Sequence, residues 1–430
     1  MRKLTLLAMA AILAAACSPK PYGPVPSEAQ LAWQDMEYYM FCHFGPNTFS
    51  GLEWGLGTED ENIFNPTELD CEQWVRTAIA AGMKGIVITA KHHDGFCLWP
   101  SALSEHTVAQ SSWRDGKGDV LRELRNACDK YNFPMGVYIS PWDRNHPLYG
   151  TDEYNKVFAG TIEEVHQNYG PIFEQWFDGA NGGANIPAYD WKLFHNTVYS
   201  ISPNAVIFSD VGPGCRWVGN ENGYVGETNW CRLNTEGFEP GAKAPAGEVL
   251  NTGEADGAQW IPAECDTPLR KQYWFYSPAN DGTQKSVDEL MDIWFGSVGR
   301  GANLILNVTP DSRGLIPAAD SIRVMEFKAA REAYFDSVKG SCGKCGGTSV
   351  VKLNAPAKCI VLQEEIRYGQ RVKAFVVEVP GSKGWETVAE GTTIGHKRIL
   401  RFDAPIEAGK IRVRVTDSFE KPLIKSIELY

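Results

Sequence analysis

Apolar segments and amphipathic segments alternate along the chain from about residue 37 to residue 334. Short apolar runs bounded by turn residues predict buried strands, and apolar residues at three- and four-residue spacing predict helices. The predicted strands are 37–45, 84–93, 135–143, the run that ends at 178, 205–210, a short segment at 273–276, and 302–310. The predicted helices are 70–82, 119–131, 154–169, 190–201, 287–299 and 318–334. Repeated strand–helix units predict a parallel sheet with right-handed crossovers.

About eight such units over roughly 300 residues favour a closed (β/α)₈ TIM-like barrel. An open, doubly wound sheet is the alternative. No Gly-x-Gly-x-x-Gly turn follows the first strand, which counts against nucleotide binding. In a barrel, every strand opens its carboxyl end on one face, so polar residues at strand ends are the candidates for a functional site.

The pattern changes after residue 340. The Gly-rich segment 341–348 predicts a linker, and segments 358–362, 371–379 and 410–416 alternate apolar and polar residues as short strands do. This pattern predicts a small antiparallel β-sandwich. Its role is either carbohydrate binding or support for the barrel, and the few aromatic residues left for a sugar platform favour support. The predicted organisation is a signal peptide at 1–17, a linker at 18–32, a catalytic barrel at 33–340 and the sandwich at 341–430.

The first residues predict a targeting segment. Arg2 and Lys3 precede an apolar run that is too short to span a bilayer. Small residues then stand directly before Cys17, which resembles a bacterial lipoprotein signal with Cys17 as the lipidated residue. Ala14 and Ala16 also fit an ordinary A-x-A cleavage site. With either signal the mature protein is exported, to the periplasm or cell envelope, and a lipid anchor would be its membrane attachment.

The charge and the cysteine content of the chain limit the classes of binding partner and the redox state of its thiols. The formal net charge of −12 over 430 residues argues against nucleic acid or an anionic membrane surface as a partner. Of the 11 cysteines, Cys342 and Cys345 are spaced as a tight disulfide in an exported protein. Others, such as Cys42, Cys97 and Cys128, lie within apolar patterns as buried thiols do. The oligomeric state stays open.

Polar and aromatic residues gather at the predicted strand ends. They are His43, His92, His93, Tyr138, Trp142, Trp176, Asp178 and Asp210. Asp178 is either a catalytic carboxylate or a helix N-cap. Imidazoles and carboxylates are metal ligands, but adjacent histidines in a strand point to opposite faces unless a bulge or turn intervenes. Indoles beside carboxylates fit a sugar.

Six motifs occur in order along the barrel region. They are Phe41-Cys42-His43-Phe44-Gly45, Glu53-Trp54-Gly55, Lys91-His92-His93-Asp94-Gly95-Phe96, Gly136-Val137-Tyr138, Trp176-Phe177-Asp178-Gly179 and Arg216-Trp217-Val218-Gly219-Asn220-Glu221. Together they resemble the retaining α-L-fucosidases of glycoside hydrolase family 29. The last motif is similar to the subgroup that cleaves α-1,3- and α-1,4-linked fucose. The resemblance implies exo-hydrolysis of terminal L-fucose from fucosylated glycans, with no metal and no organic cofactor.

The resemblance also implies residue roles. Asp178 matches the nucleophile and Glu221 the general acid/base, with Glu254 and Glu264 as rival acids. The residues implied to bind substrate are His43, Glu53, Trp54, His92, His93, Tyr138 and Trp176 around fucose, and Arg216, Trp217 and Trp274 on the leaving-group side. Such a mechanism needs two carboxyl groups about 5–5.5 Å apart. The alternatives are a non-catalytic carbohydrate-binding lipoprotein and a metal-dependent hydrolase.

Overall fold

The structure is a computed structural model that describes residues 19–186 and 188–430. Its first part is a closed barrel of eight parallel strands. The strands up to residue 310 are β1 (Tyr38–Cys42), β2 (Ile86–Lys91), β3 (Met135–Ile139), β4 (Ile172–Trp176), β5 (Val206–Ser209), β6 (Cys215–Trp217), β7 (Arg232–Leu233), β8 (Gln259–Trp260), β9 (Ala263–Pro268) and β10 (Asn303–Asn307). Around the barrel the order is β1-β10-β9-β6-β5-β4-β3-β2, while β7 and β8 pair separately. The predicted (β/α)₈ barrel is confirmed. The predicted signal peptide and Cys17 lie outside the described residues.

The helices alternate with the strands and pack around the barrel. They are α1 (Glu28–Gln34), α2 (Asn47–Ser50), α3 (Cys71–Ala80), α4 (Val120–Tyr131), α5 (Tyr154–Tyr169), α6 (Trp191–Ile201), α7 (Gly247–Thr252), α8 (Val287–Gly296) and α9 (Ala318–Tyr334). Local sequence sets their ends. For example, the side chain of Asp119 accepts the N–H of Arg122 at the start of α4, and Asn132 ends that helix with a left-handed φ of 50°.

The structure differs from the predictions in several elements of this region, including β7, β8, α2 and α7, which were not predicted. Strands β6 and β9 were missed, because β6 has three residues and β9 carries Glu264 and Asp266 within its six. Segment 273–276 is a loop and not a strand, since the backbone N–H of Trp274 donates to the carboxylate of Glu53 instead of to a neighbouring strand. Helix α1 begins inside the expected 18–32 linker, where Ser27 and Gln30 form a capping box.

Eight strands after residue 339 form two antiparallel sheets. They are β11 (Gly340–Cys345), β12 (Thr348–Lys352), β13 (Ala357–Glu364), β14 (Val372–Gly381), β15 (Gly384–Gly391), β16 (Arg398–Ile406), β17 (Lys410–Ser418) and β18 (Ile424–Leu429). The sheet orders are β11-β18-β13-β16 and β12-β17-β14-β15, and the buried residues of both sheets form one apolar cluster. The predicted β-sandwich is confirmed. The predicted linker at 341–348 is wrong, because β11 pairs along its length with β18.

The sandwich also bonds to the barrel. The side chain of Thr393 accepts the backbone N–H of Asn229 at 2.9 Å, and that of Gln370 accepts the N–H of Cys231 at 2.8 Å. These buried bonds tie the sandwich to the loop before β7. A disulfide joins Cys342 to Cys345. None of the helices within residues 19–186 and 188–430 has the length and apolar character needed to cross a membrane.

Candidate active site

A cavity of about 320 Å³ opens at the carboxyl ends of the barrel strands. Its lining residues are Phe41, His43, Glu53, Trp54, His92, His93, Trp176, Asp178, Gly179, Ala180, Phe208, Asp210, Trp217, Glu221, Gly241, Asp266 and Trp274. Ten of the twelve residues expected to bind or act on a substrate thus line one cavity. Their positions follow from barrel geometry, which brings loops distant in sequence to one face.

Asp178 lies two residues beyond β4, with its carboxylate directed into this cavity. The hydroxyl of Tyr138 donates to Oδ2 at 2.9 Å, and the backbone N–H of Ala180 donates to Oδ1 at 2.7 Å. Asp178 is not a helix N-cap, because Asp190 caps the helix that follows. Tyr138 is not itself among the lining residues of the cavity, but it bonds to the carboxylate from below. The two donors hold the Asp178 carboxylate in one orientation.

Three histidines lie on the side of the cavity formed by β1 and β2. Nδ1 of His43 lies 2.9 Å from Oδ1 of Asn307, and Nδ1 of His93 lies 2.7 Å from Oγ of Ser140. Burial lowers the pKa of His43 to about 3 and that of His93 to about 4, and it also lowers the pKa of His92. All three rings are therefore neutral at pH 7, which suits hydrogen bonding to uncharged hydroxyl groups.

His92 and His93 face the same cavity although they are adjacent in sequence. Strand β2 ends at Lys91, and its register with β3 shifts just before that point. The two ring centroids lie 4.1 Å apart. The turn required for both side chains to face one site is therefore present. One atom each of His92, His93 and Asp178 lies within 4.8 Å of the others, a spacing that could hold a metal ion.

Glu221 reaches the cavity from the loop between β6 and β7. The indole N–H of Trp274 donates to its Oε2 at 3.2 Å. Partial burial raises the pKa of Glu221, the charge of Asp178 raises it further, and the bond from Trp274 opposes both effects. A carboxyl group with a raised pKa can carry a proton at neutral pH, as a general acid must.

Glu53 and Trp54 come from the loop after β1. The carboxylate of Glu53 accepts the backbone N–H of Trp274. Burial raises the pKa of Glu53 to about 7, the charge of Glu221 adds to the rise, and N–H groups of Trp274 and Phe275 oppose it. Trp54 is 53% exposed at the rim, where its ring lies edge-on to that of His93.

Aromatic rings form the floor of the cavity. The ring of Trp176 stacks on that of Phe208 with centroids 3.9 Å apart, and Phe41 packs beside Trp176 with centroids 5.1 Å apart. Flat apolar faces next to hydrogen-bonding groups suit a small sugar that has C–H surfaces and hydroxyls.

Arg216 does not line the cavity, contrary to the expectation that it lies on the leaving-group side. It is fully buried and donates to the backbone oxygens of Leu250 and Ile261 and to Oδ1 of Asn229. Successive side chains of a strand point to opposite faces. Trp217 therefore faces the cavity while Arg216 faces away and braces the surrounding loops.

The rival acids Glu254 and Glu264 are also absent from the cavity lining. Oε2 of Glu254 accepts the backbone N–H of Asn234 at 2.6 Å. Glu264 is fully buried inside the barrel, where Trp176 donates to its Oε1 at 2.8 Å.

Asp266 lines the cavity although the sequence did not predict it, and Asp210, predicted at a strand end without a role, lines it too. The indole N–H of Trp217 donates to Oδ1 of Asp266 at 3.0 Å, and burial raises the pKa of Asp266 well above its usual range. Burial likewise raises the pKa of Asp210 to about 6, while its carboxylate accepts the N–H of Gly241. The two-residue spacing of Glu264 and Asp266 was the available signal, since it places both on the inner face of one strand.

A second cavity of about 590 Å³ adjoins the first. It is lined by Glu221, Asn222, Tyr224, Thr267, Pro268, Lys271, Gln272, Tyr273, Trp274, Lys285, Glu289 and Ile293. Glu221 and Trp274 belong to both linings. They therefore stand at the boundary between an inner pocket and an outer, more polar one.

The sequence and structure are similar to known fucosidases. The family model for α-L-fucosidase matches residues 25–328. The α-L-fucosidase 1 of Arabidopsis thaliana is 37% identical, over 96% of this chain and 88% of the relative. A glycoside hydrolase 29 family member from a rumen bacterium is 41% identical with a TM-score of 0.89, over 96% of this chain and 78% of that one.

A fucosidase of the same family from Ruminococcus gnavus was solved in complex with fucose. It is 30% identical to this chain with a TM-score of 0.85, and the match covers 96% of each chain. The family model covers the barrel, and the Arabidopsis relative and both solved structures match 96% of the chain. The chain therefore belongs to the α-L-fucosidase family, glycoside hydrolase family 29.

Proposed function

We propose that this α-L-fucosidase removes terminal fucose with retention of configuration, with Asp178 as the nucleophile and Glu221 as the general acid/base. The observation that carries the proposal is the placement of the two carboxyl groups. Asp178 is held by two donors at the floor side of the cavity, and Glu221 stands at its outer boundary. Retaining glycosidases use one carboxylate to attack and a second carboxyl group to move protons.

The chemistry follows from these positions. Asp178 attacks the anomeric carbon while Glu221 gives its proton to the departing glycosidic oxygen. Glu221, now ionised, then takes a proton from water as that water displaces Asp178 and releases fucose. The neutral rings of His43 and His93 bind sugar hydroxyls, and the floor of Trp176 and Phe208 receives the apolar side of fucose with its methyl group.

We propose further that the leaving group is a saccharide linked α-1,3 or α-1,4 to fucose. The second cavity supports a saccharide leaving group, because it begins at Glu221 and is lined by hydrogen-bonding side chains such as Asn222 and Gln272. The linkage itself rests on the resemblance of the motif at residues 216–221 to the α-1,3/1,4 subgroup. A sugar that leaves past Glu221 enters this space. Assays on fucosylated oligosaccharides of α-1,2, α-1,3, α-1,4 and α-1,6 linkage test the preference, and fastest cleavage of an α-1,2 or α-1,6 substrate would overturn it.

Replacement of Asp178 tests the nucleophile. Asp178→Ala should abolish turnover, and added azide should restore part of it by entering the vacated space to give a β-fucosyl azide. Asp210→Ala is the matched control, since Asp210 lines the same cavity but lies one strand away. Azide rescue of Asp210→Ala instead of Asp178→Ala would assign the nucleophile to Asp210.

Leaving-group dependence tests the acid/base. Proton transfer by a general acid is typically worth about 10²–10⁴-fold and matters most for poor leaving groups. Glu221→Ala should therefore lose most activity on an oligosaccharide but much less on fucosyl fluoride in the first, fucosylation step. Glu254→Ala is the control and should show no such difference. A leaving-group-dependent loss confined to Glu264→Ala would give the role to Glu264.

A metal-dependent hydrolase is the second candidate, because His92, His93 and Asp178 have metal-compatible spacing. Their neutral imidazoles and carboxylate suit Zn²⁺ or Mn²⁺. Activity that falls on chelation and returns with one of these ions would favour this candidate. Full activity of chelated protein with a metal content far below one ion per chain would eliminate it.

We also propose that the protein is an exported lipoprotein anchored through Cys17. The support is the sequence alone, in which a basic and then apolar segment ends in small residues before Cys17. The mass of the mature N-terminal peptide from the native host tests this. A diacylated cysteine at the terminus is expected, whereas an unmodified terminus after Ala16 would indicate an ordinary signal peptide.

A further inference from the structure

Two carboxyl groups lie buried inside the barrel, directly beneath the floor of the active-site cavity. Glu174 of β4 and Glu264 of β9 are both 0% exposed. They lie close together, because one ligand atom of each and the thiol sulfur of Cys215 are all within 4.8 Å of one another. Two like charges at this separation in an apolar interior are strongly disfavoured, so one of the two groups must be neutral.

The hydrogen bonds favour Glu264 as the ionised group. Both oxygens of Glu264 accept strong donors, with the hydroxyl of Tyr39 on Oε2 and the indole N–H of Trp176 on Oε1 at 2.8 Å. Oε1 of Glu174 accepts the indole N–H of Trp33 at 3.0 Å, and the hydroxyl of Tyr39 and the thiol of Cys215 lie 3.3 Å and 3.7 Å from the same oxygen. Tyr39 has a single hydroxyl proton, and it points to the nearer oxygen, Oε2 of Glu264. Oε2 of Glu174 is buried and has no hydrogen-bond partner among the described residues.

A proton on Oε2 of Glu174 accounts for this arrangement. A protonated carboxyl group is a donor, and the neighbouring Glu264 carboxylate is an acceptor, so the unpaired oxygen gains a partner. Burial raises the pKa of both groups; the charge of Glu264 raises that of Glu174 further, whereas the bonds from Glu174, Tyr39 and Trp176 to Glu264 oppose the rise there. A metal ion fits less well, because three of the four carboxyl oxygens already accept N–H or O–H groups.

We propose that Glu174 and Glu264 form a proton-sharing pair that positions Trp176, and through it the floor of the fucose site. Protonated Glu174 donates to ionised Glu264, and Glu264 in turn holds the indole of Trp176. The ring of Trp176 stacks on Phe208 and packs against Tyr138, whose hydroxyl bonds to Asp178. The inference rests on the proposed function only where it assigns the ring of Trp176 to the sugar.

Infrared difference spectroscopy tests the proton directly and independently of activity. Protein labelled with ¹³C-glutamate should show a protonated-carboxyl C=O band in the wild type minus Glu174→Gln spectrum at pH 7. Wild type minus Glu264→Gln should show the loss of an ionised carboxylate band instead. Loss of the protonated band in Glu264→Gln but not in Glu174→Gln, or in neither variant, would overturn the assignment.

The positioning role has its own readout. The amide introduced by Glu174→Gln still offers an N–H to Glu264. This variant should therefore keep the wild-type ¹⁵N-indole NMR signal of Trp176 and a kcat/KM within about threefold of the wild-type value. The signal is assigned by its loss in Trp176→Phe. Gln at 264 has one acceptor oxygen in place of two, so Glu264→Gln should move the Trp176 signal and lower kcat/KM about tenfold or more, mainly through KM.

The NMR signal of Trp176 and the KM test the positioning of Trp176 and its contact with fucose separately. An unmoved Trp176 signal in Glu264→Gln would refute the positioning role, whatever the activity. A moved signal with unchanged KM would keep the hydrogen-bond assignment and contradict the contact between Trp176 and fucose. If Glu264→Gln does not fold, the spectra of Glu174→Gln decide, since a protonated band that persists in that variant refutes the pair.

Discussion

Substitution of Trp274 by Phe should weaken catalysis in a leaving-group-dependent way. The indole N–H of Trp274 donates to Oε2 of Glu221 at 3.2 Å, and its backbone N–H donates to Glu53. Phe removes the first bond and keeps the second. It also keeps most of the ring that packs 5.1 Å from the ring of His43. The substitution therefore isolates one hydrogen bond to the carboxyl group assigned to proton transfer.

The size of the effect follows from that bond. A hydrogen bond to a charged group is worth about 1.5–3 kcal/mol when buried, but Glu221 is exposed to solvent, which takes up part of the interaction. We therefore use about 1 kcal/mol, which corresponds to about a fivefold loss in kcat/KM. The pKa of Glu221 should rise, because the lost bond favours the ionised form.

Kinetics on two donors measure this prediction. On a fucosylated oligosaccharide, Trp274→Phe should lose about fivefold in kcat/KM, and the basic limb of its pH profile should move to higher pH. Fucosyl fluoride, which needs little protonation, should be affected less. Trp54→Phe is the control, because Trp54 lines the same cavity but makes no hydrogen bond to Glu221. Equal losses on both donors for Trp274→Phe, or a basic limb at lower pH, would show that this hydrogen bond does not act on proton transfer by Glu221.

Two further predictions concern pH and stability. Burial lowers the pKa of His93 to about 4, so His93 is neutral above that pH. Below it, protonated His93 places a cation 3.6 Å from the carboxylate of Asp178. The kcat/KM on fucosyl fluoride should therefore fall below pH 4, and a fall that begins above pH 6 would contradict this. Lys91 and Asp143 form a buried ion pair at 3.0 Å with side chains 3% and 5% exposed, so Lys91→Met should cost about 3–5 kcal/mol in the free energy of unfolding. Lys271→Met removes an exposed pair and should cost less than about 1 kcal/mol; equal urea midpoints for the two variants would show that burial does not govern the loss.

The fold was predictable where burial makes a strand uniformly apolar. The apolar β-branched run of β2 and the alternating pattern of β17 each predicted a strand. Strand β9 was not predicted, because its inner face carries Glu264 and Asp266. Their carboxyl groups are tolerated through bonds from Trp176 and Trp217, which are distant in sequence. A local sequence pattern cannot report such partners.

The site was predictable in its membership and less so in its geometry. The motif resemblance named most residues that line the cavity. It could not show that Arg216 faces away from the cavity, because the short strand β6 gives no alternation to read. It matched Glu221 to the acid/base but left Glu254 and Glu264 as rivals, and only the folded chain shows that Glu221 is the one of the three that lines the cavity.

Covalent trapping of the intermediate identifies the carboxylate that attacks fucose. The protein is incubated with 2-deoxy-2-fluoro-fucosyl fluoride. This compound forms a glycosyl-enzyme intermediate quickly, and the intermediate is hydrolysed slowly. The protein is then digested with a protease, and the peptides are analysed by mass spectrometry. The account predicts one fluorofucosyl group per chain, attached through an ester to the side chain of Asp178. Attachment to another carboxylate of the cavity, such as Asp210, or continued hydrolysis of natural substrate with no adduct on the protein, would contradict it.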